Sequence, residues 1–90
     1  MINYQMNRVI TALQTVLEEY FDIDLSINDK SITFEELGFD HIMLAELIVR
    51  LEDEIYRSHS HEVKINLNKV YEIKTIHDLE EEVSSKLGGQ

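Results

Sequence analysis

No cysteine occurs in this chain, so neither a disulfide nor a thiolate-bound metal can staple its fold. No proline occurs either, and glycine stands only at positions 38, 88 and 89. So few breakers over such a length point to helices rather than to a turn-rich sheet protein. Positive charge is scarce: 8 Lys and Arg face 18 Asp and Glu, a net charge of −10. Such a surface repels phosphates and argues against nucleic acid. It suits partners with basic surfaces, which it would steer electrostatically, although acidity can also serve solubility alone. Long hydrophobic runs are missing, so no membrane span is expected. The opening residues, MINYQMNR, lack the apolar centre of a signal peptide, and a soluble cytoplasmic protein is the expectation.

What is present is enough for one small domain spanning residues 1–90. Hydrophobic residues make up 43% of the chain, which allows a modest core. A first helix is expected from about Asn3 to Tyr20, with Met6, Val9, Ile10, Leu13, Val16, Leu17 and Tyr20 as its buried stripe. Residues 22 to 39 form a long ordered loop, pinned by Ile23, Leu25 and Ile27. Those three alternate as a strand would, but nothing else in the sequence offers a pairing partner. Thr33 and Glu36 have capping-box spacing, and Gly38 can close the turn in a left-handed conformation. Phe34 and Phe39 flank this turn and are read as anchors of the loop.

Asp40 is a good N-cap for a second helix that runs to about Tyr56. Leu44, Leu47, Ile48, Leu51 and Ile55 share one face and should be core. On the opposite face Ile42, Ala45, Val49 and Tyr56 cluster beside Glu46 and Asp53. Apolar residues among carboxylates suit docking to another protein. RSHSHEVKIN is read as a polar connection. Asn66 then caps a short helix, Leu67 to Glu72. Thr75 and Asp78 open a last helix that buries Ile76, Leu79, Val83 and Leu87 and carries Glu80, Glu81 and Glu82 near its start, where the helix dipole favours them. The sum is an all-α bundle of three long helices and one short one.

The histidines offer limited chemistry. His41 at a helix start could titrate near neutrality, but no cysteine or elbow serine completes a catalytic set, so no enzyme is expected. His59 and His61 flank Ser60 and could share one ion, yet two ligands in a loop bind weakly, and no metal site is expected. His77 is expected to face solvent.

ELGFDHIMLAELIVRLEDEI resembles the central region of acyl carrier proteins, including the carrier domains of polyketide and nonribosomal peptide synthases. The family pattern is Leu-Gly-x-Asp-Ser-Leu/Ile followed by a helix with Glu-Leu and a later Leu-Glu. Leu37, Gly38, Asp40, Ile42, Glu46, Leu47, Leu51 and Glu52 match it in register. EIKTIHDLEEEV resembles the entry to the family's last helix, and element order matches over roughly residues 5 to 85. The resemblance implies a carrier domain of a fatty acid, polyketide or nonribosomal peptide pathway, acting as a monomer. Its partners would be phosphopantetheinyl transferases and acyl- or aminoacyl-loading or synthase enzymes. Docking would use Ile42, Ala45, Glu46, Val49, Glu52 and Asp53.

One position departs. His41 stands where the family's serine carries 4′-phosphopantetheine, so Asp40, His41 and Ile42 mark the expected modification site. Imidazole cannot form the phosphodiester, and the chain as written should hold no arm. No other serine follows an aspartate and precedes Leu or Ile at a helix start. Two alternatives stay open: a true carrier whose native serine is replaced here, which would otherwise bear 4′-phosphopantetheine, or a natural docking or regulatory pseudo-carrier.

Overall fold

The computed structural model describes residues 4–24, 31–60 and 62–88. Three α-helices, α1 (Tyr4–Phe21), α2 (His41–His59) and α3 (Ile76–Gly88), pack together with one short 3-10 helix, Leu67–Tyr71. Both α2 and α3 lie against α1, and the 3-10 helix lies against α2.

The stripes expected from helical spacing are the ones that meet. Val9, Ile10, Leu13, Val16 and Leu17 of α1 pack with Leu44, Leu47, Ile48, Leu51 and Ile55 of α2. Ile76, Leu79, Val83 and Leu87 of α3 complete the core, together with Ala12 of α1. Tyr20 is a correction: it is 45% exposed, because α1 has reached the edge of the core, and its ring lies under Arg50 instead. Directly after α1, Asp22 takes the left-handed region at φ 56°, and Ile23 N donates to Leu17 O at 3.0 Å. Ile23 packs half-buried on the core. Leu25, Ile27 and His61 lie outside the described residues, as do the side chains of Met6 and His59.

The turn directly ahead of α2, residues 33–39, is built as expected. Thr33 and Glu36 form a full reciprocal box: Thr33 N donates to Glu36 Oε1 at 2.9 Å, and Glu36 N donates to Thr33 Oγ1 at 3.0 Å. Gly38 closes the turn at φ +88°. Phe34 and Phe39 are both buried and do anchor the loop, with ring centroids 5.7 Å apart and Phe39 5.1 Å from Phe21.

A second box, Thr75 with Asp78, opens α3 in the same way. The two boxes meet at an isolated antiparallel bridge between Thr33 and Thr75, where Phe34 N donates to Lys74 O at 2.9 Å. Among the described residues this bridge is a single rung that joins two helix entries, and no strand forms there.

Two further corrections concern the middle and end of the chain. The α2 helix continues three residues past Tyr56, with Arg57 and Ser58 both bonded back to Glu54 at 2.7 Å. The connection from α2 to the 3-10 helix is less polar than its letters suggest, since Val63 and Ile65 are buried. In α3, Glu80 does more than complement the dipole: it is wholly buried, with Oε1 3.5 Å from His77 Nδ1. Half-exposed His77 also meets Glu81, at 3.2 Å.

Candidate functional site

The start of α2 is fixed from its own sequence. Asp40 takes the extended backbone of an N-cap, and its Oδ1 accepts from Met43 N at 2.8 Å. Asp40 O also accepts the first helical bond, from Leu44 N, at 3.0 Å. His41 is therefore the first helical residue and is exposed. Its ring meets Tyr71, the last residue of the 3-10 helix, edge-on, with centroids 4.6 Å apart and planes at 67°. Ile42 is 79% exposed.

Below this pair lies a cleft of about 470 Å³. Phe34, Phe39, Leu44, Val70 and Ile73 form its apolar floor, and Glu35, Asp40, His41, Tyr71 and Lys74 its rim. Its volume falls in the range of sites that take small apolar groups. Val70, Tyr71, Ile73 and Lys74 carry no signal of the site in the sequence. They come to it only because the 3-10 helix folds back onto α2, which no local spacing announces.

Hydroxyls near the cleft are occupied or misplaced. Thr33 Oγ1 is bonded into its capping box, donating to Glu36 Oε1 and accepting from Glu36 N. Ser58, Ser60, Ser84 and Ser85 lie on the end of α2 or on α3. Among the described residues no group of three or more His, Asp or Glu side chains could hold a metal ion.

The fold shifts the acidity of the carboxylates in the two threonine boxes, Glu36 and Asp78. Glu36 is held below the usual carboxylate range by the Thr33 amide and then the Thr33 hydroxyl. For Asp78, burial pushes upward. The amides of Lys74 and Thr75, the Thr75 hydroxyl and the charge of His77 outweigh it and hold the group low.

Along the outer face of α2 the expected docking residues differ in what they do. Val49 is 52% exposed, and Ala45 is half-buried. Glu46 Oε2 accepts from Arg50 Nε at 3.0 Å, and that guanidinium sits 4.0 Å from the Tyr20 ring centroid. Asp53 lies 3.3 Å from Arg57. Glu52 Oε2 accepts from Ile65 N at 2.6 Å, so its carboxylate pins the loop after α2.

The profile of the phosphopantetheine attachment site matches residues 8–83. The chain belongs to that family. A solved structure of the same kind is the acyl carrier protein of Thermotoga maritima, with a TM-score of 0.78 and 27% identity. That match covers 99% of this chain and 98% of the other. No curated protein matches the chain. The carrier fold and family expected from LGFD and helix α2 are therefore established. Domains of this type carry groups between enzymes and are not enzymes themselves, and the family is defined by attachment of 4′-phosphopantetheine. No helix of the described residues is long and apolar enough to cross a membrane.

Proposed function

We propose that this chain is a cytoplasmic acyl-carrier-type domain of a fatty acid, polyketide or nonribosomal peptide pathway that docks to partner enzymes through α2 and bears no phosphopantetheine arm. One observation carries this: the first residue of α2, directly after the Asp40 cap, is His41. The residues around the helix start do not fit the arm, since imidazole offers no hydroxyl and the nearby Thr33 hydroxyl is locked in its cap. Ser58 lies near the far end of α2, and Ser84 and Ser85 lie on α3, whereas transfer requires a specific docked geometry.

The exposed apolar side chains of α2 support docking. Ile42 and Val49 stand out with Glu46 and Asp53 beside them, the arrangement of an apolar contact centre with a charged rim. Exposed ion pairs are weak and screened, so partners should be bound transiently.

A second reading makes docking the whole function, in a pseudo-carrier whose histidine is natural. The edge-on packing of His41 on Tyr71 favours it, because the imidazole is fitted to its neighbour.

Titration of the chain against a broad-specificity phosphopantetheinyl transferase tests docking at either reading. Affinity should fall as salt is raised, and Ile42→Asp should weaken it about tenfold, as loss of a central apolar contact does. Tight, salt-independent binding untouched by Ile42→Asp would refute docking through α2.

A further inference from the structure

The short 3-10 helix is pinned to the fold on either side. Before it, Ile65 N donates to the Glu52 carboxylate at 2.6 Å, and Val63 and Ile65 are buried. After it, Ile73 is buried, and Lys74 O accepts from Phe34 N at 2.9 Å. Between these pins the bonds run within the segment. The Asn66 side chain accepts from Asn68 N, Lys69 N donates to Asn66 O, and the amides of Glu72 and Ile73 both donate to Lys69 O. Of the five residues Leu67–Tyr71, Val70 alone is buried, while Leu67 and Tyr71 are 49% and 63% exposed. A 3-10 helix of this length has too few bonds to stand by itself, so its side chains decide where it rests.

Two of those side chains, Val70 and Tyr71, line the cleft at the start of α2. Val70 joins its apolar floor, and the Tyr71 ring stands edge-on to His41 at the rim. The two partners of this contact are held very differently. His41 is the first residue of α2, where Asp40 Oδ1 accepts from Met43 N and fixes the backbone. Tyr71 ends a short, exposed helix tethered at its two ends. The walls of the cleft divide in the same way. Phe34, Phe39 and Leu44 belong to the turn and to α2, while Val70 and Ile73 belong to the tethered segment. Outward movement of the segment therefore widens the cleft, and the contact that crosses its rim is His41 on Tyr71.

We propose that His41 and Tyr71 form a latch that holds the 3-10 helix down on α2 and keeps the cleft between them narrow. The residue at the head of α2 then has a task of its own, since a serine there would offer Tyr71 no ring. The inference depends neither on docking through α2 nor on the absence of an arm. An edge-on pair of this kind shifts an opening equilibrium about two- to tenfold. The latch therefore sets how often the segment lifts, and the core of the domain does not depend on it. Segments with few buried contacts and exposed side chains are the ones that open locally.

Amide hydrogen exchange read by NMR, together with titration of the neutral fluorescent probe aminoanthracene, tests this on the whole chain. The amides of Lys69, Glu72 and Ile73 report on the segment, and that of Leu51 reports on α2. His41→Ala and Tyr71→Ala should each speed exchange at the three segment amides about two- to tenfold, with Leu51 unchanged. The double variant should be no faster than either single one, because both remove the same contact. Each alanine variant should bind the probe more tightly by about the same two- to tenfold factor. His41→Phe keeps a ring against Tyr71 and should bring both readouts back to the parent values. Parent exchange rates in the alanine variants would overturn the latch. So would multiplying effects in the double variant, or a His41→Phe variant that behaves like His41→Ala. Faster exchange with probe affinity unchanged would show the segment moving without widening the cleft, and would overturn the proposal. Faster exchange at Leu51 as well would assign the pair to general stability and overturn it equally.

Discussion

Gly38→Ala isolates the backbone conformation that aims the start of α2. Gly38 sits at φ +88°, and a Cβ built there meets nothing within 4 Å. The substitution is therefore a conformational perturbation without a steric clash. Holding an L-residue in the left-handed region costs about 1–2 kcal/mol. Restricting the unfolded chain returns about 0.4–1 kcal/mol. The net expectation is a loss of about 1 kcal/mol. In a domain of 90 residues that lowers the melting temperature by roughly 4–8 °C. Calorimetry of the L-Ala variant measures this directly, and a D-Ala variant made by chemical synthesis supplies the control. D-alanine favours positive φ and finds the same open space, so it should match or exceed the parent in stability. If D-Ala destabilises as much as L-Ala, then space or solvation rather than φ governs the position, and the reasoning fails. Neutral behaviour of L-Ala would refute it equally.

Acid should weaken the fold through its two helix boxes. Glu36 and Asp78 titrate lower in the folded chain than in the unfolded one, so their contribution is complete above their ordinary values of 4.5 and 3.8 and is lost as pH falls through the folded ones. The urea midpoint should drop over that acid range, and Thr33→Ala with Thr75→Ala should flatten the drop. The two faces of α2 should separate cleanly in urea denaturation: Leu47→Ala, wholly buried, should cost about 2–5 kcal/mol. Val49→Ala, on the outer face, should stay within about 0.5 kcal/mol of the parent. Glu52→Gln replaces the charged acceptor of Ile65 N with a neutral one, a loss of about 1 kcal/mol that should appear as faster exchange of the Ile65 amide.

The helices were legible because each core stripe is long and regular, as in Leu44, Leu47, Ile48, Leu51 and Ile55. The caps were legible because Thr-x-x-Glu, Thr-x-x-Asp and an aspartate before the helix state their hydrogen bonds in sequence. Periodicity misplaced Tyr20, since spacing says which side of a helix a residue is on and not where the core stops. It passed over Glu80, whose burial depends on what packs across from α3. The resemblance named Glu52 as a docking residue; that its carboxylate also accepts from Ile65 N, thirteen residues away, no local spacing announced. Of the site, Asp40, His41 and Ile42 could be read directly. The cleft could not, because Val70, Tyr71 and Ile73 arrive through a 3-10 helix placed by tertiary contacts.

Intact-protein mass spectrometry after incubation with coenzyme A and a broad-specificity phosphopantetheinyl transferase tests the central claim most directly. This chain should emerge with its mass unchanged, while its His41→Ser variant gains one phosphopantetheine. A gain of that mass by this chain itself, with histidine at position 41, would contradict the account.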